Sequence, residues 1–376
     1  MLTFRRAIVF ALAALALLLL LRSSHSTAPA PIKDAPQAAA GAKSQPGASA
    51  TPGAAAVAPS PDTKPPKPPK PPKTQLPLNE LQQLPLRKQL EYEFPYDPES
   101  KFPAYIWQTW RYTPASGQFE EGFREMEASW TVLHPTFVHE VITDSVAVHL
   151  IKHLYSAIPD VVEAYLALPL PVLKADFFRY LILLARGGIY ADIDTAALKS
   201  AIEWIPPEVP RDTYGLVIGI EADPDRPDWA EWYSRRIQFC QWTIQAKPGH
   251  PVLRDVVANI TEAALTRKAE NRLGRSAIKS IVEFTGPAVW TDCVFRYFND
   301  PDYFDVSSSA GNITWEQFTG ITSPKKVGDV VVLPITSFSP GVKQMGAGED
   351  DDPMAFVKHG FVGTWKPEAE RHIGEQ

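Results

Sequence analysis

In this 376-residue chain, which carries 37 prolines and a net charge of −6, composition and charge are unevenly spread. Nine of the 37 basic residues precede Leu78 against only two acids, so the remainder holds 28 basic and 41 acidic side chains, net −13, which argues against nucleic acid as a partner. Cys240 and Cys293 are too few for a disulfide scaffold, and no C-x-x-C or Cys/His cluster points to structural zinc; an oxidising compartment permits one bond between the two.

Arg5 and Arg6 precede an apolar run over residues 7–21, which Arg22 closes. At about 15 residues this run is shorter than the roughly 20 of an average membrane span, which suits a thin early-secretory bilayer and also a cleaved signal peptide. No clean small-x-small cleavage site follows, and the arginine pair favours a cytosolic tip, so the reading is an uncleaved type II signal anchor. Fourteen of the prolines fall between residues 29 and 77, among Ala, Ser, Gly and Lys. Such a segment cannot bury enough apolar surface to offset chain entropy and is expected to be disordered, with KPPKPPKPPK (64–73) an extended spacer. The expected organisation is a cytoplasmic tail (1–6), an anchor (7–22), a stem (23–85) and a lumenal globular domain (86–376).

Residues 102–110, FPAYIWQTW, read as a first strand with Gln108 and Thr109 near its carboxyl end. An amphipathic helix over 120–130, a strand over 137–143 and helical segments over 145–155 and 159–168 follow. This alternation predicts an α/β domain with a parallel, Rossmann-like half. His134, His139, His149 and His153 lack metal-site spacing and are expected to be structural. Further on, 215–221 reads as a strand ending in Glu221, and Trp229, Trp232, Tyr233, Phe239 and Trp242 form an aromatic stretch suited to core packing or to sugar C–H faces. Asn259 and Asn312 head two glycosylation sequons. Residues 330–334 read as a last strand, and 346–352 (GAGEDDD) as an acidic solvated loop.

The densest signal is KADFFRYLILLARGGIYADID, residues 174–194. Phe177, Phe178, Leu181, Leu184 and Ala185 recur at helical spacing, so 174–186 is a buried helix. Gly187-Gly188 ends it, glycine taking φ > 0 at little cost. Ile189-Tyr190-Ala191 is then a short strand running into Asp192-Ile193-Asp194. Extended geometry would turn both carboxylates to one side, where they repel unless a cation lies between them. Oxygen ligands of this kind suit Mg²⁺ or Mn²⁺ carrying a phosphate ligand. Asp176 and Arg179, three apart, share a face of the same otherwise apolar helix.

The ordered pattern A-D-x-x-R-Y, leucines, G-G-x-Y-x-D-x-D resembles the donor signature of the glycosyltransferases with a DXD sugar-binding region. Among these, glycosyltransferase family 32 includes the initiating fungal Golgi α-1,6-mannosyltransferases. IWQTW, Thr285-Gly286-Pro287 and the late H-x-x-x-G-T-W beginning at His359 are similar to further segments of that family. The resemblance implies a GT-A-type fold and metal-dependent, retaining transfer of mannose from GDP-mannose to an oligosaccharide or glycoprotein acceptor, an N-glycan or mannan, in α-1,6 linkage. It implies catalytic Asp192 and Asp194, a Mn²⁺ or Mg²⁺ site formed by Asp192, Asp194 and His359, and donor contacts from Trp107, Asp176, Arg179, Tyr180 and Asp192. It also implies a single-pass Golgi location and partner subunits of a mannosyltransferase complex. Two alternatives stand beside it. Asp192-Ile193-Asp194-Thr195 fits the D-x-D-x-T of phosphotransferases, although its preceding strand is poorly hydrophobic, and the chain could be a non-catalytic subunit of a mannan-synthesising complex.

Overall fold

The computed structural model describes residues 76–304 and 311–363. The anchor, nearly all of the stem and the Thr364-Trp365 end of the last motif lie outside the described residues. Among the described residues, no helix is long and apolar enough to cross a membrane. The folded part begins ahead of residue 86. Leu78–Leu81 is a helical turn with Leu81 buried, because leucines at 78, 81 and 84 supply apolar surface that the proline-rich stem lacks.

Helix α1 (Leu86–Glu93) leads into β1 (Tyr105–Thr109), α2 (Glu121–Leu133), β2 (Val138–Ile142), α3 (Asp144–Leu154), α4 (Pro159–Ala167), α5 (Pro171–Arg186) and β3 (Gly188–Ala191). Strand β1 pairs in parallel with β2 on one side and β3 on the other, the arrangement that the helix–strand alternation predicts. The second half adds β4 (Thr195–Ala197), β5 (Leu216–Ala222), β6 (Gln238–Phe239), β7 (Thr243–Ala246), α6 (Pro251–Ala269), α7 (Pro287–Phe298), β8 (Lys325–Val327), β9 (Val330–Leu333) and β10 (Val357–His359).

Beyond this parallel half, which the alternation foretells, the sheet is mixed. The strand order is β2-β1-β3-β7-β5-β9-β8, with β6 paired to β5. Strand β7 is antiparallel to both β3 and β5, whereas β9 is parallel to β5. The segment that returns from β5 to β7 contains no crossover helix, and parallel neighbours need one. The fold is α/β with a mixed sheet.

Period-two alternation divides the strand side chains between two cores. Tyr190, Leu216, Ile218, Val330 and Val332 join the core that α5, α6 and α7 cover. Ile189, Ala191, Val217, Val331 and Leu333 join the other, with Trp130, Trp204 and Phe338. Strands β4 and β10 form a separate antiparallel ribbon in which His359 faces Thr195. That ribbon brings the end of the described chain beside the Asp192–Asp194 segment.

Candidate active site

Helix α5 starts at Pro171, earlier than the apolar periodicity indicates, because a proline with fixed φ and no N–H fits a first helical turn. Its far end is set by two glycines. Gly187 and Gly188 have φ of 64° and 97°, and the Gly187 N–H closes the helix on the Leu183 carbonyl at 2.9 Å. Side chains are excluded there by packing too: a Cβ on Gly188 would lie 2.6 Å from the Tyr105 carbonyl oxygen.

Within α5, Asp176 and Arg179 are buried. One nitrogen of Arg179, Nη2, lies 2.8 Å from Asp176 and 3.3 Å from Asp192, and Nη1 donates to the Gln241 carbonyl at 2.9 Å. The guanidinium also lies 4.8 Å over the Tyr190 ring, whose hydroxyl donates to Asp192 at 2.9 Å. Asp176 accepts further bonds from Thr285 Oγ1 at 2.8 Å and Gln241 Nε2 at 3.2 Å. Burial pushes its carboxyl up to about 6, against the opposing charge of Arg179.

Asp192 and Asp194 converge, but not through an extended strand. The chain turns after β3: the Asp192 carbonyl accepts from the Thr195 N–H at 3.1 Å and from Thr195 Oγ1 at 2.6 Å. Ile193 is buried in the turn, and the two carboxylates remain more open. Asp194 Oδ1 stands 3.4 Å from His359 Nε2, and Oδ2 accepts from the Val362 N–H at 3.2 Å. The His359 ring stacks on Trp242 at 4.4 Å between centroids and meets Phe361 edge-on at 4.3 Å.

One ligand atom each from Asp192, Asp194 and His359 lies within 4.8 Å of the others. Burial, reinforced by the charge of Asp194, holds Asp192 above the usual carboxylate range despite Arg179 beside it. Burial acts on Asp194 as well, but His359 and the Val362 N–H outweigh it and hold that carboxyl low. Two carboxylates at such a distance and an imidazole fit a divalent cation. The oxygens suit Mg²⁺ or Mn²⁺, and the nitrogen tips the set toward the transition metal.

The same segment falls within a wider likeness. The family described as glycosyltransferase sugar-binding region containing DXD motif matches residues 120–210. The initiation-specific α-1,6-mannosyltransferase of Candida albicans is 49% identical over 294 residues, covering 75% of this chain and 76% of that protein. The Schizosaccharomyces pombe protein of the same name is 44% identical over 73% of this chain and 66% of its own length. The Saccharomyces cerevisiae one is 35% identical over 77% and 84%. The chain belongs to this family.

As a member, the protein is a glycosyltransferase, and the phosphotransferase reading of D-x-D-x-T falls. The Thr195 hydroxyl is spent on its own turn. In this glycosyltransferase, Trp107 and Tyr180 stand behind the site. Trp107 Nε1 donates to the Gly187 carbonyl at 2.9 Å and fixes the glycine turn. Tyr180 is fully buried, stacked on Trp290, with its hydroxyl 2.6 Å from Gln241 Oε1.

The cysteines are free and both buried, so the bond that an oxidising compartment would permit is not formed. Cys240 packs in the core with Trp204 and Phe338, and Cys293 in the other core with α6, so the sheet stands between them. Asn259 lies inside α6, its amide donating to the Asp255 carbonyl at 2.9 Å, with the sequon's Thr261 fully buried. Asn312 is exposed. Of the four histidines expected to be structural, His134 caps the Ala201 N–H at 2.8 Å. His139 holds Gln108 Oε1 at 2.9 Å, and Gln108 Nε2 in turn donates to the Asp192 carbonyl at 3.1 Å.

Sequence reasoning did not single out Tyr190 or Gln241 as site groups, and it offered Trp242 only as one member of an aromatic stretch suited to core packing or sugar faces. Tyr190 was legible, since it lies two residues before Asp192 on a strand and therefore on the same side. Gln241 and Trp242 reach the site only through the antiparallel return to β7, which no local pattern announces.

Proposed function

We propose that this glycosyltransferase moves mannose from GDP-mannose to an oligosaccharide of an N-glycan or mannan, forming an α-1,6 linkage with retention at the anomeric carbon. The observation that carries the reading is the 49% identity to a named initiation-specific α-1,6-mannosyltransferase over three quarters of both chains. The intact cluster of Asp192, Asp194 and His359 supports it. The domain is read as GT-A-type. We place it on the lumenal side of the Golgi membrane behind the 7–22 anchor, where partner mannosyltransferase subunits would join it.

Asp192, Asp194 and His359 would hold Mn²⁺ or Mg²⁺, which supplies charge neutralisation for the diphosphate leaving group. The chain's own residues do the rest. Arg179, fixed by Asp176, the Gln241 carbonyl and the Tyr190 ring, presents a cation that needs no reorganisation when negative charge grows on the departing nucleotide. Asp176, held in turn by Thr285 and Gln241, orients that guanidinium and the sugar beside it. Tyr190 and Gln108 fix the side chain and carbonyl of Asp192.

Donor choice is the test. Full-length protein in detergent is offered GDP-mannose and UDP-sugars in competition with a mannose oligosaccharide, and the product linkage is read by methylation analysis. GDP-mannose used alone with a 6-linked product is expected. Preference for a UDP-sugar, or another linkage, would overturn the corresponding part of the reading.

A further inference from the structure

Between β5 and β6 the chain leaves the sheet as a loop over residues 223–237, and the stretch that follows β6 reaches the site. Glu221 lies just before the loop, and Gln241 and Trp242 lie just after it. Its base is tied down. Buried Asp223 accepts from Arg236 Nη1 at 2.7 Å, Thr319 Oγ1 at 2.8 Å and the Gly320 N–H at 2.7 Å. A second tie, from Arg235, grips Asp292 at 2.6 Å and Glu283 at 2.9 Å.

The tip carries Trp232, 64% exposed, the most exposed aromatic ring among the described residues. It is not loosely held. Arg226 is clamped by two bonds to Asp228, at 2.5 and 2.6 Å, and its guanidinium lies 5.4 Å over the Trp232 ring. The indole N–H points back to Asp228 at 3.4 Å. A single ring fixed among charged groups suits neither a lipid surface nor an apolar peptide, both of which need a contiguous apolar patch. It suits a sugar, whose C–H face packs on the ring and whose hydroxyls meet the surrounding carboxylates and guanidinium.

The loop is also continuous with the reacting centre. Past β6, Gln241 Nε2 donates to Asp176 at 3.2 Å, and the Trp242 ring stacks on His359 at 4.4 Å between centroids. One oxygen of Glu221, Oε2, is buried without a hydrogen-bond partner, a vacancy that a native structure rarely leaves unexplained.

We propose that this loop is the acceptor subsite. Trp232 and Tyr233 stack on a ring of the incoming oligosaccharide, and Glu221 accepts a hydrogen bond from one of its hydroxyls next to the Asp192–Asp194 pair. The proposal rests on the oligosaccharide-acceptor reading given above.

The test compares full-length Trp232→Ala, Trp232→Phe and Glu221→Gln with the parent protein, varying a mannose oligosaccharide and GDP-mannose separately. Trp232→Ala is expected to raise the acceptor KM about fivefold more than the donor KM, and Trp232→Phe to recover most of that difference. Equal changes in both KM values, or none in the acceptor KM for either Trp232→Ala or Glu221→Gln, would overturn the subsite. Should the parent protein transfer from no donor, saturation-transfer NMR of the oligosaccharide on the parent and Trp232→Ala proteins decides separately. Ring signals lost in the variant keep the subsite although transfer fails, and equal signals remove it.

Discussion

Arg179 Nη2 stands 3.3 Å from the Asp192 carboxylate, so the helix before the glycine turn and the turn after it are joined by one ion pair. The same nitrogen binds Asp176, and the Arg179 side chain is 4% exposed. Substituting Arg179→Ala leaves Asp176 buried beside no cation. Loss of stability by about 3–5 kcal/mol is expected in chemical denaturation. Arg179→Lys keeps the charge but cannot reach both carboxylates and the Gln241 carbonyl together. It should fold and lose at least about tenfold in turnover, and a Lys variant of full activity would show that spanning is unimportant.

His359 brings a nitrogen to two carboxylates from the far end of the described chain, and its ring is held by Trp242 and Phe361. His359→Ala should raise the Mn²⁺ concentration for half-maximal activity by about 10–100-fold, with less effect at saturating metal. An unchanged metal titration would remove His359 from the cation site.

Asp329 links the sheet edge to the helices. It accepts from Tyr96, from Tyr297 at 2.8 Å, and faces His250 at 3.5 Å. Burial works against its charge, but these partners outweigh burial and hold the carboxyl well below the usual range. A carboxyl with a depressed folded pKa adds stability above its unfolded pKa, about 3.9, and loses it as pH falls toward the folded value. Asp329→Asn should therefore be less stable than the parent at pH 7 by about 1–3 kcal/mol, with the gap narrowing below about pH 4. A gap independent of pH would mean that packing, not charge, is at stake.

The two sequons should behave differently in a glycosylating compartment. Asn259 lies within α6 with its amide engaged, and a glycan there would block packing of the buried Thr261 turn. Glycosidase treatment with Asn259→Gln and Asn312→Gln variants is expected to trace any glycan to Asn312. A mobility shift lost only in Asn259→Gln would contradict the folded position of that helix.

Much of the site was legible because its residues lie within one short span, where helix and strand periods place side chains reliably. Asp176 and Arg179 share a face by helical spacing, and the glycine pair announced its own turn. The geometry of Asp192–Asp194 was not. Convergence arises from a turn closed by Thr195, and a turn and a strand can leave the same residues buried and open in alternation. The parallel half of the sheet followed from helix–strand alternation, whereas the antiparallel return that delivers Gln241 and Trp242 depends on long-range pairing with β3. The cysteine pair shows the limit most simply, since two buried thiols on opposite faces of a sheet look no different in sequence from two that touch.

The most direct test of the central claim is mannosyl transfer from GDP-mannose by the full-length parent protein and Asp194→Asn, each with Mn²⁺ and with EDTA. Parent activity that EDTA abolishes and Mn²⁺ restores, with the variant reduced about 10²-fold or more at equal folded stability, is the predicted result. Transfer by Asp194→Asn at the parent rate, or parent activity indifferent to EDTA, would contradict the assignment of the Asp192, Asp194 and His359 cluster as the catalytic cation site.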